Sequence, residues 1–145
     1  MKHFDYFAPT EIIFGAGRVT EAGALAARYG KKAMLVTVPE FPAVAELYAK
    51  VKKSLADAGV ACVHYDGVIP NPTTELVTRG AELAKAEGVD VVIGLGGGSS
   101  MDTAKAIAVE ATHPGTAWDY NCHTAGPTEQ TLPILAISTT AGTGS

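Results

Sequence analysis

The stretch VDVVIGLGGGSSMDTAKAIA, residues 89–108, constrains the fold more than any other part of the chain. A run of β-branched and apolar residues of the kind that makes a buried strand leads directly into Gly96, Gly97 and Gly98. Ser99 and Ser100 follow, and then a segment of helix-forming residues. Strand, glycine turn and helix in that order form a βα unit whose turn lets an anion approach the backbone, because three residues carry no side chain to hold it away. The N–H groups there share the positive end of the following helix, and the serine hydroxyls add donors and a helix cap. In open α/β sheets ligands bind at the carboxyl ends of strands, so the position and composition of this turn point to a phosphate.

The rest of the chain supplies matching units. Short β-branched runs at residues 33–38, 60–64, 89–94 and 133–137 alternate with segments of helical period. Leu47, Val51, Leu55 and Ala58 share one helical face, as do Val77, Ala81 and Ala84 in the next segment. Strands alternating with helices predict parallel βαβ units, hence an α/β fold with a parallel, Rossmann-like sheet flanked by helices. Residues 4–7 and 11–14 are two β-prone runs joined by Ala8-Pro9-Thr10, which predicts an N-terminal β-hairpin on the sheet edge, followed by a helix over residues 19–29. Residues 113–131, rich in Gly, Pro, Thr and Asn, read as a long surface loop. With 145 residues, 47% of them hydrophobic, the whole chain reads as one domain with a core of its own.

Several functions are disfavoured. The net charge is −4 and basic residues never cluster beyond Lys31-Lys32 and Lys52-Lys53, so nucleic acid is not expected as a partner. No apolar run approaches the ~20 residues that cross a bilayer, so no membrane association is expected. The start MKHFDYF lacks the apolar stretch of a secretory segment and Cys62 and Cys122 stand far apart, which favours a reduced, cytoplasmic setting. A Walker loop would place Gly-Lys-Ser/Thr after its glycines, whereas Ser99-Ser100-Met101 stand here. The Gly-x-Gly-x-x-Gly fingerprint fails as well, because the sixth position after Gly94-Leu95-Gly96 is Ser99 and the strand is not the first. His3, His64, His113 and His123 are not spaced as a helical metal pair, and Cys62-His64 or Cys122-His123 alone would leave zinc short of ligands.

At these residues the chain resembles the iron-containing, or group III, alcohol dehydrogenases. Gly96-Gly97-Gly98-Ser99 with Asp102 and Lys105 matches that family's glycine loop. Pro9 to Gly17 (PTEIIFGAG) looks like its opening, Pro70-Asn71-Pro72-Thr73 like one of its turns, and Ser138-Thr139-Thr140-Ala141-Gly142-Thr143-Gly144-Ser145 like its second nucleotide loop. The resemblance implies a dinucleotide-binding domain over residues 1–145, with NAD or NADP as cofactor and a diphosphate held by Gly96, Gly97, Gly98 and Ser99. It further implies that Thr139, Thr140 and Thr143 line the adenosine groove, that Asn71 faces the cofactor, and that Asp102 lies near the nicotinamide end. Asp102 and Lys105 also stand three apart on the expected helix, the spacing of a surface ion pair. By the same resemblance, Fe2+ or Zn2+ and the catalytic groups belong to an all-helical domain beyond this chain, in an enzyme that oxidises a small alcohol or reduces an aldehyde, as a homo-oligomer. Glycerol dehydrogenases, dehydroquinate synthase and a stand-alone nucleotide-binding module are the rival readings. Where many family members carry an aspartate after the first strand, selecting NAD, this chain has Val38-Pro39-Glu40. That difference leaves NAD against NADP open.

Overall fold

A computed structural model of the chain describes residues 3–5, 7–120 and 125–142. Four strands form one parallel sheet: β1 (Lys32–Val36), β2 (Ala61–Tyr65), β3 (Val91–Gly96) and β4 (Ile134–Ser138), in the order β2-β1-β3-β4. Helices α1 (Ala22–Ala26), α2 (Pro42–Asp57), α3 (Thr74–Glu87) and α4 (Gly98–Glu110) lie between and beside them. All four expected strands are present, each displaced by at most two residues from the apolar run that signalled it. The chain steps from β1 outward to β2, then crosses back over β1 to β3 and continues to β4. Right-handed crossovers in opposite directions must place their helices on opposite faces.

The core shows this division residue by residue. Ala33 and Leu35 of β1 with Val91, Ile93 and Leu95 of β3 pack on one face against Ala22, Ala26, Tyr48, Val51 and Leu55 of α1 and α2. Met34, Val36 and Val92 pack on the other face against Val77 and Ala84 of α3 and Ala104, Ile107 and Ala108 of α4. Strands buried on both faces read as continuous apolar runs, which is why β1 and β3 show no alternation. Leu47, Val51, Leu55 and Ala58 lie on the face of α2 turned to the sheet, as their spacing requires. Pro42 starts α2 at a position where a missing N–H costs nothing, and Gly88, at φ 62°, ends α3 in the left-handed conformation favoured at a helix terminus.

Two expectations need correction. Among the described residues before Gly17 there is no strand, and Phe4, Phe7, Ile12 and Phe14 are 85–91% exposed; Tyr6 lies outside the described residues. The β-prone runs are real, but a two-stranded hairpin is marginal unless a sheet or helix covers one face, and Pro9 removes a ladder donor. The segment meets the rest of the chain at the exposed Glu11–Arg28 ion pair and where Pro9, Thr10 and Ile13 border a hollow shared with Leu25, Tyr29 and Leu135. The helix expected over residues 19–29 is split into a 3-10 turn, Arg18–Glu21, and the short α1. The cause is close approach to α2: Ser54 Oγ accepts the Gly23 N–H at 2.9 Å and donates to the Thr20 carbonyl at 2.6 Å. A Cβ on Gly23 would overlap the Ser54 carbonyl.

The loop at residues 113–131 is ordered where it is described. It contains a 3-10 turn, Ala117–Tyr120, whose Ala117 N–H is bound by the buried Glu110 carboxylate at 2.7 Å. His113 Nε2 accepts the Thr128 N–H at 2.9 Å, closing the loop on the end of α4.

Candidate cofactor site

The strands are parallel, so all their carboxyl ends share one edge of the sheet, and β1 and β3 are the adjacent pair whose connections leave in opposite directions. A crevice opens at such a switch point because the two crossover helices depart to opposite faces. The glycine turn lies there. Gly94, still inside β3, lets α4 lie against the strand: a Cβ would come within 3.0 Å of Met101 Cα and 3.1 Å of the Ser100 carbonyl oxygen. Gly96, at φ 145°, turns the chain out of the sheet, and Gly97 caps α4.

The serines do not cap the helix as their hydroxyls suggested. Gly97 occupies the cap, so α4 begins at Gly98 and both serines fall inside its first turn. The Gly97 carbonyl takes the N–H groups of Ser100 and Met101 at 3.1 and 3.2 Å, while no hydrogen bond from the N–H of Gly98 or Ser99 is made within the described residues. Two N–H groups without a partner among the described residues, at the positive end of a 13-residue helix, can receive an anion. Space is available as well, since a Cβ on Gly97 would meet nothing closer than the Thr140 methyl at 3.6 Å. Ser100 is buried beneath the turn, and its Oγ is the one buried side-chain polar atom without a partner among the described residues.

Of the other residues singled out in the sequence, Thr139 and Thr140 come beside the turn. Gly96 is in register with Ser138, the Thr139 N–H donates to the Gly96 carbonyl at 3.0 Å, and Ser138 Oγ donates to the Thr140 carbonyl at 2.7 Å. Both threonines are exposed. Thr143 lies outside the described residues. Asp102 and Lys105 form the exposed pair their spacing allows, Oδ1 to Nζ 3.5 Å; such a pair contributes little in water. Asn71 is exposed in the loop after β2, at φ 53°, and makes no hydrogen bond with the glycine turn. The loop that carries it leaves the same edge of the sheet as the glycine turn, at the carboxyl end of β2.

A polar network at the end of β1 was not anticipated. Thr37, fully buried, donates its hydroxyl to the Val38 carbonyl at 2.7 Å, and the Tyr48 phenol donates to the same oxygen at 3.2 Å. His64 Nε2 lies 2.9 Å from Thr37 Oγ1. Because the Thr37 proton is given to Val38, the imidazole is the donor, which fixes the Nε2–H tautomer. Burial lowers the His64 pKa from its ordinary value and Lys52 lowers it further, with Asp66 and Glu40 opposing. No sequence signal pointed to it, because it depends on the register that pairs Leu35 with His64.

Among the described residues no three His, Cys, Asp or Glu side chains come together as a metal site. No helix there is long and apolar enough to cross a membrane. A second hollow, of about 610 Å³ and lined by His113, Tyr120 and Thr128 among others, lies past the C-terminus of α4, at the opposite end of the sheet from the glycine turn.

Residues 9–145 match the family model described as iron-containing alcohol dehydrogenase. The chain belongs to that family. It is 45% identical over 149 residues to choline dehydrogenase of Bacillus subtilis, covering all of this chain and 37% of that protein. It is 33% identical to NADH-dependent butanol dehydrogenase A of Clostridium acetobutylicum, again over 37% of that protein. Among solved structures, the alcohol dehydrogenase ADH/D1 from an archaeal halo-thermophilic source in a Red Sea brine pool, bound to NZQ, superimposes with a TM-score of 0.94 at 41% identity. The match spans all of this chain and 38% of that one. Sulfoacetaldehyde reductase from Bifidobacterium kashiwanohense, in complex with NAD+, gives 0.80 at 29% identity over 99% of this chain and 38% of that one. The chain thus spans little more than a third of the length of these relatives, corresponding to their N-terminal part.

Proposed function

We propose that the chain is the dinucleotide-binding part of an NAD(P)-dependent alcohol dehydrogenase, in which hydride passes between a nicotinamide and a small alcohol or aldehyde. The observation that carries the reading is the glycine turn at the β1/β3 switch point, with two N–H donors unpartnered among the described residues, a helix positive end and an open face at Gly97. In this reading the N–H groups of Gly98 and Ser99 hold the diphosphate, with Gly96 and Gly97 giving it room. Thr139, Thr140 and Thr143 border the adenosine side, and Asp102 stands near the nicotinamide end. Asn71, in the loop after β2, faces the cofactor in this reading.

The nicotinamide supplies hydride chemistry and a metal in the remainder of the enzyme supplies a Lewis acid for the substrate oxygen. Metal and substrate groups are assigned to the part by which the relatives exceed this chain. We assign the whole enzyme to the cytoplasm as a homo-oligomer.

The test is to chelate the whole enzyme and measure two quantities. Alcohol oxidation should be lost while NAD(P) binding stays within about twofold, because the two tasks fall to different domains. Undiminished oxidation in fully chelated enzyme would replace metal-assisted transfer with a metal-independent reductase.

A further inference from the structure

Val36 of β1 is in register with Gly94 of β3, so Val38, two residues on, stands at the level of Gly96, where the neighbouring strand leaves the sheet. The connection from Thr37 to Phe41, which joins β1 to α2, therefore forms one wall of the crevice at the switch point. That wall is held from β2. The Thr37 N–H donates to the Tyr65 carbonyl at 3.0 Å and the Val68 N–H to the Thr37 carbonyl at 3.2 Å. The side chains add the relay already described, from His64 Nε2–H through the Thr37 hydroxyl to the Val38 carbonyl, which the Tyr48 phenol also reaches. Thr37 is fully buried, so without the imidazole its oxygen would have no side-chain donor, a costly state for a buried polar atom.

The relay suits a neutral imidazole. Nε2–H is in use, whereas Nδ1 makes no hydrogen bond among the described residues. From α2 the ring meets Lys52 and, edge to face with centroids 5.9 Å apart, Tyr48. The connection contributes Glu40, which already faces Lys52, Oε2 to Nζ 4.0 Å. On β2 the neighbours are Asp66 and, two residues back on the same face, the thiol of Cys62. Burial and Lys52 outweigh the two carboxylates and hold the His64 pKa below its ordinary 6.5. A base whose pKa falls on folding costs the folded state stability as pH drops from the ordinary value to the lowered one, after which the loss levels off.

We propose that His64 is a positioning residue for the cofactor site: neutral, it holds the wall after β1 through Thr37; protonated, it turns to solvent and releases that wall, so that nucleotide binding weakens in acid. The link to binding rests on the reading that the glycine turn holds the dinucleotide diphosphate; the hold on the wall does not.

The experiment compares the whole protein with His64→Gln, whose amide can donate to Thr37 without titrating, and His64→Phe, which keeps a ring against Tyr48 but has no donor. NADH affinity is followed by fluorescence, and the methyl signals of Val38 by NMR in the unliganded protein. Between about pH 7.5 and about pH 5.5 the unaltered protein should lose at least about threefold more affinity than His64→Gln. At the upper pH His64→Phe should bind at least about threefold more weakly than the unaltered protein, and His64→Gln within about twofold of it. The Val38 signals should move in the unaltered protein with a midpoint below 6.5 and stay still in both variants. Parallel pH profiles for the unaltered protein and His64→Gln, or Val38 signals indifferent to pH, overturn the proposal. Val38 signals that titrate in a folded protein binding no NADH at any pH would uphold the hold on the wall and overturn the diphosphate reading.

Discussion

Gly96 and Gly97 are adjacent in the chain yet answer to different constraints. Gly96 has φ 145°, a region that side-chain-bearing residues avoid, and a Cβ there would lie 2.6 Å from Ser100 Oγ. Gly97 has φ −83°, open to any residue, and a Cβ there would make only an ordinary contact with Thr140. Gly96 is therefore required by the protein itself, whereas a requirement for glycine at 97 has to come from something bound. Gly96→Ala should cost about 1–3 kcal/mol in denaturant unfolding, and Gly97→Ala less than about 1 kcal/mol. Equal costs would mean that the turn is a packing device. The triple glycine stood out in the sequence, but its division of labour did not, because φ and the neighbours of an absent Cβ are properties of the folded backbone. The serines illustrate the same limit: a shift of the helix start to Gly98 turned expected caps into one half-buried and one buried hydroxyl.

At the scale of elements, apolar spacing was sufficient for α2 and α3, whose sheet-facing residues recur every three or four positions. It was insufficient where tertiary contact decides. Gly23 looks like an ordinary weak point in a helical run, yet it is where α1 meets α2, its N–H bound by Ser54. Gly23→Ala should destabilise the protein by about 1–3 kcal/mol, despite alanine's better helix propensity, because the new methyl overlaps the Ser54 backbone. Thermal unfolding would check this, and a gain in stability would show that the crossing relaxes easily. The N-terminal runs failed for the opposite reason. Their aromatic and β-branched residues promise a strand, but a strand exists only with a partner, and the described residues provide none.

Across the whole molecule, the features assigned to the proposed cofactor site lie along one edge of the sheet: the glycine turn after β3, the threonines after β4 and the fixed segment after β1. Crossover direction explains why three segments distant in sequence meet there. The sequence pointed to all three, but not to how the third is held, which depends on the pairing of β1 with β2 that places His64 against Thr37. The central claim is that a dinucleotide diphosphate sits on the first turn of α4. It is tested most directly by nucleotide titration of Gly97→Val and Lys105→Ala in the whole protein, with folding of each verified by circular dichroism. Valine at 97 fills the space assigned to the diphosphate, so affinity should fall by more than about tenfold. Loss of the exposed Lys105–Asp102 pair should change affinity by less than about twofold. Equal loss in two folded variants, or retained affinity in Gly97→Val, would place the diphosphate elsewhere.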